Sequence, residues 1–289
     1  MNKHYIIECK VRCTNLNIEK IRQEYMKNGY TRVNAIAKAC QDIILKEISE
    51  SPYFKNVTIK GGVVMHSISN DKRRATRDID LDFIKYSLED DSILRFINKL
   101  NDNNDGITIT IEGKPESLHH QDYDGKRVNV ILNDSYNNTM KSKLDIGVHK
   151  NFDLEQEEYC FDLSAINTTA TLFINSSEQI FIEKLKSLLK FGALSTRFKD
   201  IFDFYYLINN TNIDKEKFNR YIKDIIFDDD SIPVNNIDEV IVKMKNLFSD
   251  KIFIANLKDA RNNWLDIPVN KVLENILQFL ESVAAEVSM

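Results

Sequence analysis

Several features are scarce or missing in this sequence, and each absence excludes a class of protein. No apolar run approaches the roughly 20 residues that a membrane-spanning helix needs. The residues after Met1 lead into no signal-type apolar segment. We therefore expect a cytoplasmic protein that has no membrane partner.

Cysteine is also scarce, with four residues in a chain of 289. They form no C-x-x-C pair and are too few to cross-link a chain of this length, which excludes a disulfide-stapled scaffold. No nearby histidine or cysteine pair completes a zinc site. We expect buried, reduced thiols at Cys9, Cys13, Cys40 and Cys160.

Positive charge is not in excess. The 39 Lys and Arg residues face 44 Asp and Glu residues, which gives a formal net charge of -5. This balance argues against a chain coated with nucleic-acid-binding surface, but it leaves room for a local patch. Basic residues do cluster within 72–77 and within 184–199. Each cluster is either a solvated face or part of an anion site, and the first one adjoins the motif described next.

The most informative stretch is residues 58–83, where a short apolar strand is followed by a glycine pair, a basic loop and two aspartates. Asp78 and Asp80 alternate with apolar residues, so on a strand they project to the same face. Two neighbouring carboxylates suit Mg²⁺ or Mn²⁺, which keep other positions for water and phosphates. Gly61 and Gly62 allow backbone N–H groups to approach a phosphate at the start of a helix. The order of the two motifs is more specific than either motif alone.

Further charged residues follow at intervals. Asp145 lies between two apolar residues on a later predicted strand, either as an exposed edge acid or as a third carboxylate facing the same groove. Lys184 lies in a predicted helix over 178–191, near its apolar face. Asp200 and Asp203 lie three apart in the next predicted helix, where they either pair with Lys199 or Lys186 or take part in the site.

The hydrophobic pattern as a whole predicts an α+β fold. Apolar residues recur every three or four positions before residue 50 and again after about Ser176, which predicts helices at both ends. We expect a helical layer over 1–52, a mixed sheet with flanking helices over 53–172, and a C-terminal helical bundle over 173–289. Runs rich in β-branched residues predict further strands at 57–60, 107–112, 126–132 and 142–148.

These motifs occur in an order that resembles a known family. I-K-G-G, R-A-T-R-D-I-D-L, L-D-I-G, E-K-L-K-S-L-L-K and R-F-K-D-I-F-D-F-Y, within residues 53–208, resemble the AbiEii/AbiGii nucleotidyltransferase-like toxins. That family belongs to the DNA polymerase beta-like nucleotidyltransferase superfamily. The resemblance implies the toxin half of a type IV toxin–antitoxin or phage-defence (abortive infection) module, and MenT-type relatives add nucleotides to the 3′ end of tRNA.

The resemblance also implies roles for individual residues. Two positions depart from the family pattern, because Thr76 replaces the more usual Ser and Lys199 replaces an Arg. The implied metal ligands are Asp78, Asp80 and Asp145. The implied catalytic group adds Lys184 and Asp200 to those three acids. The implied nucleotide-binding residues are Lys60, Gly61, Gly62, Arg74, Thr76, Arg197 and Asp203. Asp82 continues the strand alternation and is interpreted as a supporting or solvent-facing acid.

The leading hypothesis is therefore a Mg²⁺- or Mn²⁺-dependent nucleotidyltransferase toxin. It would transfer a nucleotide from a nucleoside triphosphate to an RNA, with the tRNA 3′ end favoured, until an antitoxin protein restrains it. One alternative is a catalytically silent member that acts by binding nucleotide or protein. Another is a sugar-nucleotide transferase that uses its D-x-D motif for a diphosphate-bound metal, although the preceding glycine pair and the third acid argue against it.

Overall fold

The computed structural model describes residues 15–118, 125–149 and 154–287. Its α-helices are α1 (Ile18–Lys27), α2 (Arg32–Glu50), α3 (Gly61–Ser69), α4 (Asp90–Lys99), α5 (Ser177–Phe191), α6 (Phe198–Asn210), α7 (Lys215–Ile222), α8 (Ile237–Ser249), α9 (Lys251–Leu257) and α10 (Val269–Val287). Its strands are β1 (Val57–Lys60), β2 (Ile79–Phe83), β3 (Ile107–Ile111), β4 (Glu116–Ser117), β5 (Lys126–Asp134), β6 (Thr139–Val148), β7 (Gln156–Leu163) and β8 (Thr168–Asn175). Within those three ranges, no helix combines the length and apolar character required to cross a bilayer.

All eight strands form one mixed sheet with the order β3-β5-β6-β2-β1-β8-β7, and β4 pairs with β5. The pairs β1–β8 and β2–β6 are parallel, whereas the other pairs are antiparallel. The α+β class and the mixed sheet are therefore confirmed. Strands β4, β7 and β8 were not predicted from the sequence. In β7 only Phe161 and Leu163 are buried and the first half is polar, which weakens its strand pattern.

Helices cover the sheet and continue beyond it. Helix α2 packs on β6 and β8, and α1 packs on α2. Helix α5 begins at the predicted cap, where the Ser176 hydroxyl accepts a hydrogen bond from the Gln179 N–H. After α5, helix α10 packs against α6, α7 and α8. The expected C-terminal helices are thus present, and α5, which directly follows β8, connects them to the sheet.

The cysteines are placed unequally. Cys9 and Cys13 lie outside the described residues. Cys40 is fully buried in α2, and burial raises the pKa of its thiol to about 12, which keeps it protonated. Cys160 is exposed, so the expectation of a buried thiol is wrong there. The reason is strand alternation, since Phe161 on the next position of β7 takes the inward face.

Candidate functional site

Four charged residues lie side by side across the centre of the sheet. Lys60 on β1 pairs with Asp80 on β2, and Asp80 pairs with Asp145 on β6. Asp145 in turn pairs with Arg127 on β5. Residues paired directly across neighbouring strands project to the same face of a sheet. The register therefore brings the predicted acids Asp80 and Asp145 together, although 65 positions of sequence separate them.

Asp78 lies just before β2 rather than on it, because the strand begins at Ile79. The expectation of two aspartates on one strand is corrected in that respect. Both acids nevertheless line the same cleft, which has a volume of about 490 Å³. Its complete lining is Gly61, Gly62, Arg74, Thr76, Asp78, Asp80, Arg127, Asp145, Lys184, Thr196, Arg197, Lys199, Asp200 and Asn262.

The glycine pair has a steric role that the sequence did not reveal. Gly61 has a φ of +66°, and a Cβ there would lie 3.0 Å from Cγ of Asp80 and closer still to its Oδ2. A Cβ at Gly62 would lie 2.7 Å from the Cβ and the hydroxyl oxygen of Thr76. Both glycines therefore let α3 begin directly against the acids and Thr76. No side chain caps this helix start, so its N–H groups remain available to an anion in the cleft.

Arg127 is a cleft residue that sequence reasoning missed. Its Nε and one terminal nitrogen donate hydrogen bonds of 2.8 and 2.7 Å to the two oxygens of Asp145. Such a bidentate pair is short and directional. A signal was available, because positions 127 and 145 are equidistant from Tyr136, at the centre of the turn between β5 and β6. Pairing this hairpin by its turn would have placed the two side chains opposite one another.

The opposite wall of the cleft is built from helices and is predominantly basic. Asp203 on α6 is fully buried and receives two hydrogen bonds of 2.6 Å from Arg74. Lys184 on α5 lies 3.0 Å from the same carboxylate, and the Trp264 indole N–H donates to it at 3.1 Å. Burial alone raises the pKa of Asp203, but the charges of Arg74 and Lys184 outweigh it and hold that pKa at about 2.

Asp200 differs from Asp203 in its surroundings. It lines the cleft, accepts a 2.6 Å hydrogen bond from Lys184 and lies 4.0 Å from Arg197. Asp203 lies behind the lining and holds Arg74 and Lys184 in place. Both aspartates are therefore partners of cleft cations, but those cations are Lys184 and Arg74 and not the expected Lys199 or Lys186, and only Asp200 faces the cleft. Trp264, the single tryptophan of the chain, supports Asp203 from a segment to which the sequence assigned no role.

Positive charge is crowded on this helical wall. Lys199 donates a 3.0 Å hydrogen bond to the Arg73 carbonyl and lines the cleft together with Arg197. Burial lowers the pKa of Lys199, and the charges of Arg74 and Arg77 lower it further. A phosphate group at this wall would relieve the repulsion between the cations.

Lys60 lies beside the cleft and not among its lining residues. Its ammonium is 2.7 Å from Asp82, and both side chains are buried. Asp82 is thus a supporting acid, one of the two roles expected for it. The hydroxyl of Thr58 bonds to Asn175, and Asn175 donates to Glu183 at 3.1 Å, so α5 covers this end of the sheet face.

Negative charge is crowded on the sheet wall. Burial raises the pKa of Asp80. The positive charge of Lys60 lowers this pKa, whereas the negative charges of Asp145 and Asp78 raise it further. Carboxylate oxygens are the hard ligands that divalent cations such as Mg²⁺ prefer, and a cation between them would relieve their mutual repulsion. Among the described residues, however, no three acid, histidine or cysteine side chains form a ready-made metal cluster. Asp145 is the acid whose two oxygens are both taken by Arg127.

Comparisons with known proteins identify the family of the chain. The crystal structure of an antigenic nucleotidyltransferase-like protein from Paracoccidioides brasiliensis is similar, with 15% identity, a TM-score of 0.44, and coverage of 78% of this chain and 94% of that one. No curated protein sequence matches the chain. The family model described as "Nucleotidyl transferase AbiEii toxin, Type IV TA system" matches residues 43–270, which include every residue of the cleft lining. The chain therefore belongs to the AbiEii family of nucleotidyltransferase toxins of type IV toxin–antitoxin systems.

Proposed function

We propose that this enzyme uses Mg²⁺ to transfer a nucleoside monophosphate from a nucleoside triphosphate to an RNA, with the 3′ end of tRNA as the favoured acceptor. The observation that carries the proposal is one cleft with two oppositely charged walls. Asp80 and Asp145 face it from the sheet, and Lys184 and Arg197 face it from the helices. Nucleotidyl transfer needs both a cation site and a polyphosphate site within reach of each other.

The sheet wall holds the reacting phosphate and the attacking hydroxyl. Asp78 and Asp80 are the residues that would hold a cation against the triphosphate, and Asp145 would hold one next to the acceptor. Divalent cations at such acids neutralise phosphate charge and favour ionisation of an attacking hydroxyl. Asp80 is placed to orient the triphosphate side, because it lies against the N-terminus of α3 at Gly61.

The helical wall binds the remaining phosphate charge. The Lys184 ammonium, the Arg197 guanidinium and the α3 N–H groups are placed to donate to non-bridging phosphate oxygens. Asp203 acts through Arg74 and Lys184 as a positioning residue, since it is buried beneath them. Thr76 packs against Gly62 at the same end of the cleft and offers its hydroxyl there.

A polyanionic acceptor fits the edge of the cleft. Arg73, Arg77 and Arg197 are exposed near it, even though the whole chain is acidic. An RNA that brings its 3′ hydroxyl to Asp145 would place its backbone phosphates against these cations. The family also implies an antitoxin protein that restrains the enzyme.

The experiment that tests this proposal is a transfer assay. Purified protein is incubated with Mg²⁺, total tRNA and each labelled nucleoside triphosphate in turn, alongside Asp80→Asn and the exposed control Asp91→Asn. We expect label to enter tRNA from one triphosphate, to fall by about a thousandfold in Asp80→Asn, and to persist in Asp91→Asn. Entry of the label into another RNA or a protein would identify a different acceptor. Transfer that survives in Asp80→Asn would reject this cleft as the active site.

A further inference from the structure

Asp145 and Arg127 form the strongest contact on the sheet wall, and the proposed mechanism requires Asp145 for a different task. Both oxygens of the carboxylate accept hydrogen bonds from the guanidinium, at 2.8 and 2.7 Å. A cation that binds Asp145 needs at least one of those oxygens. Such a cation must displace one of the two hydrogen bonds or share an oxygen with the guanidinium, whose positive charge repels it, so the cation and Arg127 compete for Asp145.

The two partners differ in their freedom to move. The Asp145 side chain is 6% exposed, whereas the Arg127 side chain is 35% exposed. Pairing with Asp80 on one side and Arg127 on the other fixes the strand position of Asp145. Arginine has a long side chain, and a partly exposed guanidinium can rotate into solvent without opening a cavity in the core. Release of the pair therefore falls to Arg127.

The charge balance of the sheet wall points the same way. Asp78, Asp80 and Asp145 carry three negative charges when ionised, and Arg127 reduces the sum to two, which one divalent cation neutralises. A second divalent cation would leave the wall positively charged while Arg127 remained paired. The positive charge would be smaller once Arg127 moved away, and the negative charge of a bound triphosphate would neutralise the rest, so both favour the second cation.

We propose that Arg127 competes with a divalent cation for Asp145, and so sets the affinity of the second cation of the transfer reaction. This inference rests on the proposed function, because it concerns the cation that Asp145 would hold there. The first cation, at Asp78 and Asp80, needs no oxygen that Arg127 occupies, so it is affected by Arg127 only through charge at a distance. The second cation binds weakly until the substrate contributes charge, and Arg127 is a positioning residue that makes the two sites unequal.

The test is a Mn²⁺ titration of the full chain without nucleotide, followed by electron paramagnetic resonance of the free ion. We compare the wild type with Arg127→Met and with Lys126→Met. Lys126 is the matched control, because consecutive residues of a strand face opposite sides and it pairs with Asp90 instead. Both changes remove one positive charge. We expect the weaker Mn²⁺ site to tighten by about tenfold or more in Arg127→Met and by less than about threefold in Lys126→Met.

Two more variants make the result specific to Asp145. Arg127→Met combined with Asp145→Asn should lose the gained affinity, since asparagine keeps a single neutral oxygen in place of the carboxylate. Arg127→Lys, which keeps the charge but contacts a single oxygen, should tighten the weaker site by less than Arg127→Met, and it serves alone if Arg127→Met does not fold. Equal tightening in Lys126→Met, no tightening in either Arg127 variant, or tightening that survives Asp145→Asn would overturn the proposal.

Failure of this inference is distinguishable from failure of the proposed function. The Mn²⁺ titration contains no triphosphate and no acceptor, so it reports only on the competition at Asp145. The transfer assay reports on the chemistry whether or not Arg127 competes. An active enzyme with unchanged Mn²⁺ affinity in both Arg127 variants would reject the competition alone.

Discussion

The sheet wall and the helical wall of the cleft show the same electrostatic feature with opposite sign. On the sheet wall, burial raises the pKa of Asp80, and the negative charges of Asp145 and Asp78 raise it further. On the helical wall, burial together with Arg74 and Arg77 lowers the pKa of Lys199. Each wall holds like charges close together, which is unfavourable for the protein by itself. Each wall is therefore suited to a ligand of the opposite charge, a cation on one side and phosphate on the other.

Two aspartates show how the surroundings decide the role of a residue. Asp80 has acidic neighbours and faces the cleft, whereas Asp203 is enclosed by Arg74, Lys184 and Trp264. The pKa is raised for the first and held at about 2 for the second. We infer that Asp80 contributes to the reaction and lowers the stability of the folded protein. Asp203 contributes to stability and affects the reaction only by positioning Arg74 and Lys184.

The sharpest test of this difference is to neutralise each aspartate. Asp203→Asn leaves Arg74 and Lys184 buried without their shared counter-ion, so we expect a loss of about 3–5 kcal/mol in the free energy of unfolding. Asp80→Asn removes repulsion, so we expect its stability to remain within about 1 kcal/mol of the wild type or to rise. Urea unfolding followed by circular dichroism measures both values.

Asp200→Asn is the matched control for Asp203→Asn. It also removes a carboxylate that lies on the same helix and contacts the same lysine. Lys184 keeps Asp203 as its partner, so we expect a loss of less than about 1.5 kcal/mol. Equal losses in Asp200→Asn and Asp203→Asn would show that burial of Asp203 is not what separates the two residues.

Substitution of Gly61, at the start of α3, tests how closely this helix must approach the sheet wall. An alanine at Gly61 would overlap the Asp80 carboxylate, so we expect Gly61→Ala to reduce transfer by about a hundredfold, or about 2.7 kcal/mol in activation free energy. Gly113 also has a positive φ, of +80°, but a Cβ there meets nothing within 4 Å. Gly113→Ala therefore carries only the backbone strain, and its activity per folded molecule should be unchanged. An equal activity loss in both variants would assign the effect to strain.

The pH dependence of stability should report the helical wall. The folded-state pKa of Asp203 is below its unfolded value, so its stabilisation is fully present above pH 4 and is lost as the pH falls towards 2. We expect this loss to be roughly 2 kcal/mol. Urea unfolding at several pH values should show it in the wild type, and the curve for Asp203→Asn should be flatter between pH 4 and 2. Parallel curves for the two proteins would contradict the lowered pKa.

The smallest effect is expected at Lys199. Lys199→Gln removes one of the crowded cations that a phosphate would neutralise, so we expect the Kd for a nucleoside triphosphate to rise by about three- to tenfold. Stability should not fall, because the pKa of this lysine shows that its charge is disfavoured where it lies. Fluorescence titration with a labelled triphosphate measures the affinity. Lys243→Gln, a change on α8 outside the cleft lining, controls for net charge.

Much of the site could be predicted from local patterns. Gly61, Gly62, Asp78 and Asp80 were predicted together because a strand, a helix start and the following strand place them within one short stretch. Asp145 was recognised by its apolar neighbours. Arg127 was missed because it has no motif of its own and becomes significant only through the β5–β6 register.

The sequence by itself determined which residues are candidates for the site and which segments form the main helices and strands, because periodicity, caps and glycine positions are local properties. Tertiary structure alone decided which charges meet. Asp200 and Asp203 lie on one helix turn, yet one faces the cleft and the other is buried under Arg74. Electrostatic energy depends on distance in space and on hydration, and neither follows from distance along the chain. The β5–β6 register therefore fixed the partner of Asp145, and the support of Asp203 by Trp264 was fixed only when the C-terminal helices packed together.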